Sequence, residues 1–440
     1  VAIPFWLKKA CSRLGLASYL HAAKKSCPSD PSYVRYFSDR MLAAPLDDLL
    51  DPAAFPEAVA PDVLNLNRSF PEYDAAFERT ATPNLHAPRN AAGDPELRRI
   101  VAELSRSRHN RVVSTADQVL IAHGATGAYS TALDAFINPG DPVVLFDPTS
   151  PLFSVGAKSR RAKLRWVNTW NEDGRCRFLL EGLAKAMRGA MMLVLSNPSN
   201  PTGGVFGFEE WEQIAWLAQR QDVLVYVDES FSQYEYTEAA RLPSREGFQR
   251  RLLAAGSVSQ GFGMADSRVG WLTGPKELVD ACRLASVLSA PYVPSICQAA
   301  ALKALRTPPE LFQPTLEQFR KRRQYALDRL RGMNLDVTPS AGGFTLWVNV
   351  EGSGLAGRAF AGKLLREERV LVGPGDIYGP SGTNQIRVSY ALDDGRLREA
   401  LNRMGEFVQR LTGRPTILEQ LALPAKREPV TELAPAFCRG

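Results

Sequence analysis

From about residue 115 the chain alternates short apolar runs with segments in which apolar residues recur at helical spacing. Five runs predict strands: QVLIA (118–122), PVVLFD (142–147), KLRWV (163–167), MMLVL (191–195) and VLVYVD (223–228). Between the last two, the segment from Gly207 places Phe208, Trp211, Ile214, Ala215 and Ala218 on one helical face. This alternation predicts an α/β fold, a doubly wound and mostly parallel sheet flanked by helices. In such sheets ligands sit beyond the carboxyl ends of the strands.

After about residue 310 the texture changes to a long polar helical pattern, Pro314 to Arg331, followed by GGFTLWVNV, RVLVGPG and QIRVSYAL. That reads as a smaller, separate α+β domain. The expected organisation is an N-terminal extension with a small-domain segment (1–60), a large domain (61–305), a small domain (306–412) and a tail (413–440). The tail carries Pro415, Pro424, Pro429 and Pro435 and reads as an extended arm or a partly disordered end. Near the start, Phe5 to Ser26 sets Phe5, Leu7, Leu14, Leu16, Tyr19 and Leu20 between basic pairs. The favoured reading is a surface helix packed on the protein or on a partner subunit; a helix lying on a membrane is the alternative.

At 440 residues the chain is long enough for two or three cores. With 45% apolar and 23% charged residues it reads as a soluble globular protein rather than a disordered one. The net charge of +6 is not gathered on one element, which argues against a nucleic-acid partner and is compatible with an anionic small ligand. The six cysteines form no CxxC pair, and the four histidines stand in no metal-ligand spacing, so a disulfide framework and a metal centre are not expected. The cysteine pattern predicts a reducing, cytoplasmic setting. No apolar run reaches the length of a membrane span, and the opening segment does not read as a signal peptide.

Three segments stand where a ligand is expected. SNPSNPTGGVF (196–206) follows a buried strand and stacks two Asn-Pro turns before a helix, holding an Asn side chain beyond the strand end. The next strand ends in Asp228-Glu229, a carboxylate pair after four apolar positions that in isolation serves equally well as a turn cap. GSVSQGFGMADSRVGW (256–271) then sets hydroxyls, glycines and one Arg at fixed offsets, the donors a phosphate requires.

Together these segments resemble the class I/II aminotransferases, the fold type I enzymes that use pyridoxal 5′-phosphate (PLP), over about residues 60–410. The resemblance implies that Asn200 bonds the cofactor's ring hydroxyl and borders the substrate, and that Asp228 keeps the pyridine nitrogen protonated. It implies a phosphate site made by Ser257, Ser259 and Arg268, with Ala125 and Thr126 of GATGAYS adding an amide and a hydroxyl. In NQIRVSYA it nominates Arg387 as the fork that takes a substrate α-carboxylate. It also implies a homodimer, an α-amino acid or 2-oxo acid as ligand, and amino-group transfer as the reaction.

One position breaks the pattern. In the family's SxSK stretch the lysine follows the second Ser, with the phosphate Arg eight residues later; Ser257, Ser259 and Arg268 keep that register, and the lysine position is Gln260. An amide neither forms a Schiff base nor shuttles the α-proton, and Lys276 is too far along the chain to substitute. Phe231 stands where a Tyr commonly bonds the ring oxygen, Ser150 where an aromatic commonly stacks on the pyridine, and His86 is all that precedes GDPELR where a Tyr is usual. PLP is therefore expected to bind noncovalently or as the external aldimine of an amino acid. Four readings stay open: a transaminase whose lysine was replaced to trap substrate; a lysine-independent PLP or pyridoxamine phosphate enzyme; a catalytically silent member acting as a sensor or partner subunit; and a scaffold that has lost the cofactor.

Overall fold

The structure is a computed structural model of the chain and describes residues 62–66, 91–109, 115–237, 242–290 and 292–413. The expected N-terminal helix, His86 and the tail beyond Gly413 lie outside these residues. After β1 (Leu64–Asn65) and α1 (Pro95–His109), the large domain runs β2 (Val119–His123), α2 (Gly124–Phe136), β3 (Pro142–Asp147), α3 (Pro151–Ser159), β4 (Lys163–Glu172), β5 (Arg175–Phe178), α4 (Leu180–Met187), β6 (Met192–Ser196), α5 (Phe208–Gln221), β7 (Leu224–Asp228), β8 (Leu252–Ser257) and β9 (Val269–Thr273). Helices α6 (Lys276–Ser289) and α7 (Ser295–Leu305) follow.

Strands β2 to β9 form one eight-stranded sheet in the order β2-β9-β8-β7-β6-β3-β4-β5. Its centre, from β4 through β3, β6 and β7 to β8, is parallel; β9 is antiparallel to both neighbours, and β5 folds back on β4 as a hairpin. The apolar runs are continuous because each strand feeds two cores in alternation. Val144, Phe146, Leu193, Leu195, Val225 and Val227 pack on α4 and α5 with Leu183, Trp211 and Ile214. Val143, Leu145, Met192, Val194 and Tyr226 face the other way, onto Tyr129, Leu133, Phe153 and Leu278 of α2, α3 and α6.

The five strands expected from the pattern are all present, shifted by at most a residue except for β4, which runs five residues further to reach its hairpin partner. Strands β8 and β9 were not foreseen as strands. After two leucines β8 continues as AAGS, small residues with weak strand preference, and its place is fixed by burial between β7 and β9, with every residue buried.

The small domain comprises α8 (Gln313–Gly332), β10 (Asp336–Thr338), β11 (Thr345–Asn349), α9 (Gly357–Glu368), β12 (Val370–Leu371), β13 (Gly373–Pro374), β14 (Gln385–Ser389) and α10 (Asp394–Thr412). Its sheet is antiparallel, β10-β11-β14-β13, and its core packs Phe319, Leu327, Leu346, Ile386 and Phe407. Strand β1 pairs in parallel with β12, so the first described residues lie beside the small domain. Among the described residues no helix is long and apolar enough to cross a membrane.

The alternation of the central strands makes a direct prediction. Leu193 is fully buried against the α4–α5 layer. Leu193→Ala is expected to cost about 2–5 kcal/mol of stability, read as a lowered midpoint in chemical denaturation, whereas the same change at exposed Leu179 of the neighbouring turn is expected to leave the midpoint nearly unmoved.

Candidate active site

The site is built at the carboxyl ends of β6, β7 and β8, which lie side by side. Ser196 closes β6 opposite Asp228 at the end of β7, and Asp228 is in register with Ala255, two residues before Ser257. The three segments singled out in the sequence are thus brought together because their strands are neighbours.

Asp228 ends β7 half-buried as a residue, with its carboxyl group enclosed. Ser230 binds one carboxylate oxygen twice, donating from its amide at 2.9 Å and from its hydroxyl at 2.5 Å. Burial pushes the carboxyl above its usual range, the Ser230 bonds oppose that, and the neighbouring Glu229 charge adds to it. A buried carboxyl in this condition is primed for a cationic partner, because a positive charge placed beside it relieves the cost of ionisation.

On the other side of the sheet end, the loop 197–206 is tied to both domains. Phe206 donates its amide to Asn197 Oδ1 at 3.0 Å, and the Asn200 amide donates to Ser196 Oγ at 2.9 Å. Gly203 has φ of +66°, and a Cβ there meets Ser340 Cβ at 2.3 Å, so the left-handed turn and the close approach both require glycine. Through that turn the Gly203 carbonyl accepts from the amides of Ala341 and Gly342, and Thr345 donates to the Pro201 carbonyl. Asn200 is thereby held facing the small domain, where its Oδ1 accepts from Arg387 Nη1 at 3.0 Å.

Arg387 projects from β14 and is 3% exposed. Its guanidinium lies 5.2 Å from the centre of the Tyr378 ring, a cation–π contact, and Tyr378 packs edge-on against Trp347. The Tyr378 loop is fastened to the large domain: Thr149 donates its amide to the Tyr378 carbonyl at 2.8 Å, and buried Asp147 accepts from the amide and hydroxyl of Ser381. Burial raises the Asp147 carboxyl while the Ser381 bonds oppose the rise.

Arg268 sits in the left-handed region at φ 50°, with Nη1 donating to the Ala265 carbonyl at 3.2 Å. Its guanidinium lies against Gly124, the first residue of α2, so closely that a Cβ on Gly124 falls 2.4 Å from Nη2. Gly270 lets β9 approach the same helix start, since its Cβ meets the Gly124 carbonyl carbon at 2.4 Å and the Ala125 nitrogen at 2.7 Å. A guanidinium is therefore set beside the amino end of a thirteen-residue helix, with Ala125 partly buried and Thr126 exposed in its first turn. Both features favour an anion.

Ser257 caps the one-turn helix Val258–Gly261, accepting from the Ser259 amide at 3.4 Å, and its hydroxyl donates to Gln260 Oε1 at 2.9 Å. Ser259 is 2% exposed and its Oγ has no hydrogen-bond partner among the described residues. The Gln260 carbonyl accepts from Tyr234 at 3.0 Å, and Lys276 is engaged elsewhere with Asp280 at 2.6 Å. Phe231 packs on Phe344, ring centres 4.5 Å apart, and belongs to the small-domain core; Ser150 is a buried residue at the start of α3. Tyr378, Asp147 and Ser381 are members of the site's scaffold that the sequence did not reveal, because each acts through a tertiary contact rather than a motif.

A mostly parallel sheet of this order, joined to a small α+β domain, is the fold type I architecture of the PLP-dependent transferases. The chain belongs to the aminotransferase class I and II family, whose pattern matches residues 61–404. It is 27% identical over 362 residues to an aspartate aminotransferase of Pyrococcus horikoshii, covering 79% of this chain and 91% of the relative. An arginine–pyruvate transaminase of Pseudomonas aeruginosa is 28% identical over 364 residues, covering 80% and 91%. The solved aromatic aminotransferase of Pyrococcus horikoshii superposes with a TM-score of 0.72 at 25% identity, covering 82% of this chain and 99% of its own.

The raised Asp228 carboxyl sets a sign for pH dependence. A carboxyl whose folded pKa exceeds its unfolded value of about 3.9 stabilises the fold while protonated, and that stability is lost as the pH climbs through the folded pKa. Without ligand, Asp228→Asn is expected to raise the melting temperature near neutral pH, with the gap over the parent closing as the pH falls toward about 4. Parallel melting curves at every pH contradict a raised carboxyl.

Proposed function

We propose that this chain binds PLP noncovalently together with an α-amino acid or 2-oxo acid, and that it does not complete ordinary transamination as it stands. The observation that carries this reading is Gln260, which occupies the lysine register between Ser257 and Arg268 and has its amide drawn onto Ser257. Apart from Phe231 and Ser150, the site residues support cofactor binding. Arg268, Ser257 and the first turn of α2 supply cation, hydroxyl and amides for a phosphate, and glycine at 124 and 270 lets the Arg268 guanidinium and β9 lie directly against that helix start. Asp228 supplies a carboxylate for a protonated ring nitrogen, which settles its own buried charge.

When bound, PLP supplies an electron sink for carbanionic character at the substrate α-carbon. The chain's own residues do the remaining work. Arg387, with one arm on Asn200 and its face over Tyr378, presents a planar fork to a carboxylate. Asn200, bonded to Arg387, would border both the ring and the substrate. Asp228 would hold a proton on the ring nitrogen. At position 260 an amide nitrogen is neither a nucleophile toward a carbonyl nor a base for the α-proton, so both lysine functions are missing. The named activities of the relatives, on aspartate and on arginine with pyruvate, support an α-amino acid and 2-oxo acid ligand class. A homodimer in the cytoplasm, with residues near 61–305 and 306–412 as its two domains, completes the proposal.

Borohydride reduction in the presence of PLP tests it. Mass spectrometry of the parent is expected to find no pyridoxyl group at residue 260, while Gln260→Lys acquires one there and gains transaminase activity with an amino acid panel. Transamination by the parent at the rate of the Lys variant contradicts the reading. Arg387→Lys in the Gln260→Lys background is expected to raise the amino acid KM by about ten-fold or more, the cost of losing a charged two-point contact.

A further inference from the structure

We propose that Gln260 is a built-in competitor for the phosphate subsite and makes phosphorylated B6 vitamers exchangeable ligands of this chain rather than a resident prosthetic group; this rests on the reading that the site binds PLP. The argument begins with the single proton of the Ser257 hydroxyl. It is donated to Gln260 Oε1 at 2.9 Å, so it is not available to a phosphate oxygen while that bond stands. A lysine in the same position imposes no such competition, because an ammonium group has donors and no acceptor. Exchanging the amine for an amide therefore does two things at once: it removes the covalent anchor, and it places an acceptor on a hydroxyl that the phosphate needs.

The backbone of this turn is held in place. Tyr234 donates to the Gln260 carbonyl at 3.0 Å. Gly261 lies against Gln233 so closely that a Cβ there meets Gln233 Cγ at 2.3 Å. Release of Ser257 is thus a rotation of the Gln260 side chain and not a movement of the loop. The remainder of the anion cradle does not depend on it: Arg268 rests on Gly124 and bonds the Ala265 carbonyl. Phosphate entry then exchanges one neutral hydrogen bond for a stronger, charge-assisted one, and the Gln260–Ser257 bond subtracts from the affinity.

The test is calorimetric titration of the full chain with pyridoxine 5′-phosphate, which has no aldehyde and forms no covalent bond, and with pyridoxine, which has no phosphate. Gln260→Met keeps the length of the side chain and removes the acceptor. It is expected to bind pyridoxine 5′-phosphate about three- to ten-fold more tightly than the parent, the range for one neutral hydrogen bond, with pyridoxine affinity unchanged. In a Ser257→Ala background the gain is expected to vanish. Equal affinities of parent and Met variant for pyridoxine 5′-phosphate, or a gain shared by pyridoxine, overturn the competitor role while leaving the proposed function intact. Failure of both forms to bind any phosphorylated vitamer overturns the proposed function as well.

Discussion

A carboxyl buried at the end of a central strand is the constraint around which this site is arranged. Asp228 belongs to β7, in the middle of a sheet whose strands are apolar on both faces, and its side chain leaves that environment only at the strand end. Two bonds from Ser230 do not offset its burial. Such a group costs stability unless a cation is brought to it, which is why burial here reads as preparation for binding rather than as packing. The same sheet end sets a guanidinium against a helix start, so opposite charge preferences are separated within one site: an anion at Arg268 and Gly124, a cation at Asp228.

Arg387 belongs to the small domain, and its position depends on contacts that cross between domains. Asn200 takes one arm of the guanidinium from the loop after β6, and Tyr378 lies under its face. The Tyr378 loop is in turn fastened to the end of β3 by Thr149 and Asp147. The Arg387 guanidinium is therefore indexed to the large sheet from two directions. That redundancy gives a fixed geometry to a side chain that otherwise has many rotamers, and it explains why a buried arginine is tolerated in a domain whose core is aliphatic and aromatic.

Much of this was legible in the chain itself. Continuous apolar runs at 142–147, 191–195 and 223–228 marked the central strands because burial on both faces leaves no polar position to interrupt them. The site segments were visible because turns, glycines, hydroxyls and an arginine fall at fixed offsets just past the strand ends. β8 was not visible as a strand, since Ala254, Ala255 and Gly256 carry little local preference and are placed by their neighbours. Nor were Asp147, Tyr378 and Ser381, which lie far apart in sequence and meet only in the folded chain. Phe231 and Ser150 stood out as departures from a family pattern; the structure adds that Phe231 has become part of the small-domain core.

Gln260 separates two properties that a lysine joins. In the proposed reading, recognition of the phosphate and ring rests on Arg268, Ser257 and Asp228, and anchoring and proton transfer rest on the residue at 260; loss of the second then leaves a binding site without turnover. The measurement that bears most directly on this account is equilibrium dialysis of PLP against the unmodified chain and against Arg268→Ala. The account predicts saturable binding of one PLP per chain, fully reversible on dialysis, and lost or weakened at least ten-fold in the variant, as expected for removal of a charge-assisted phosphate contact. Absence of saturable binding, or binding that Arg268→Ala leaves unchanged, contradicts it.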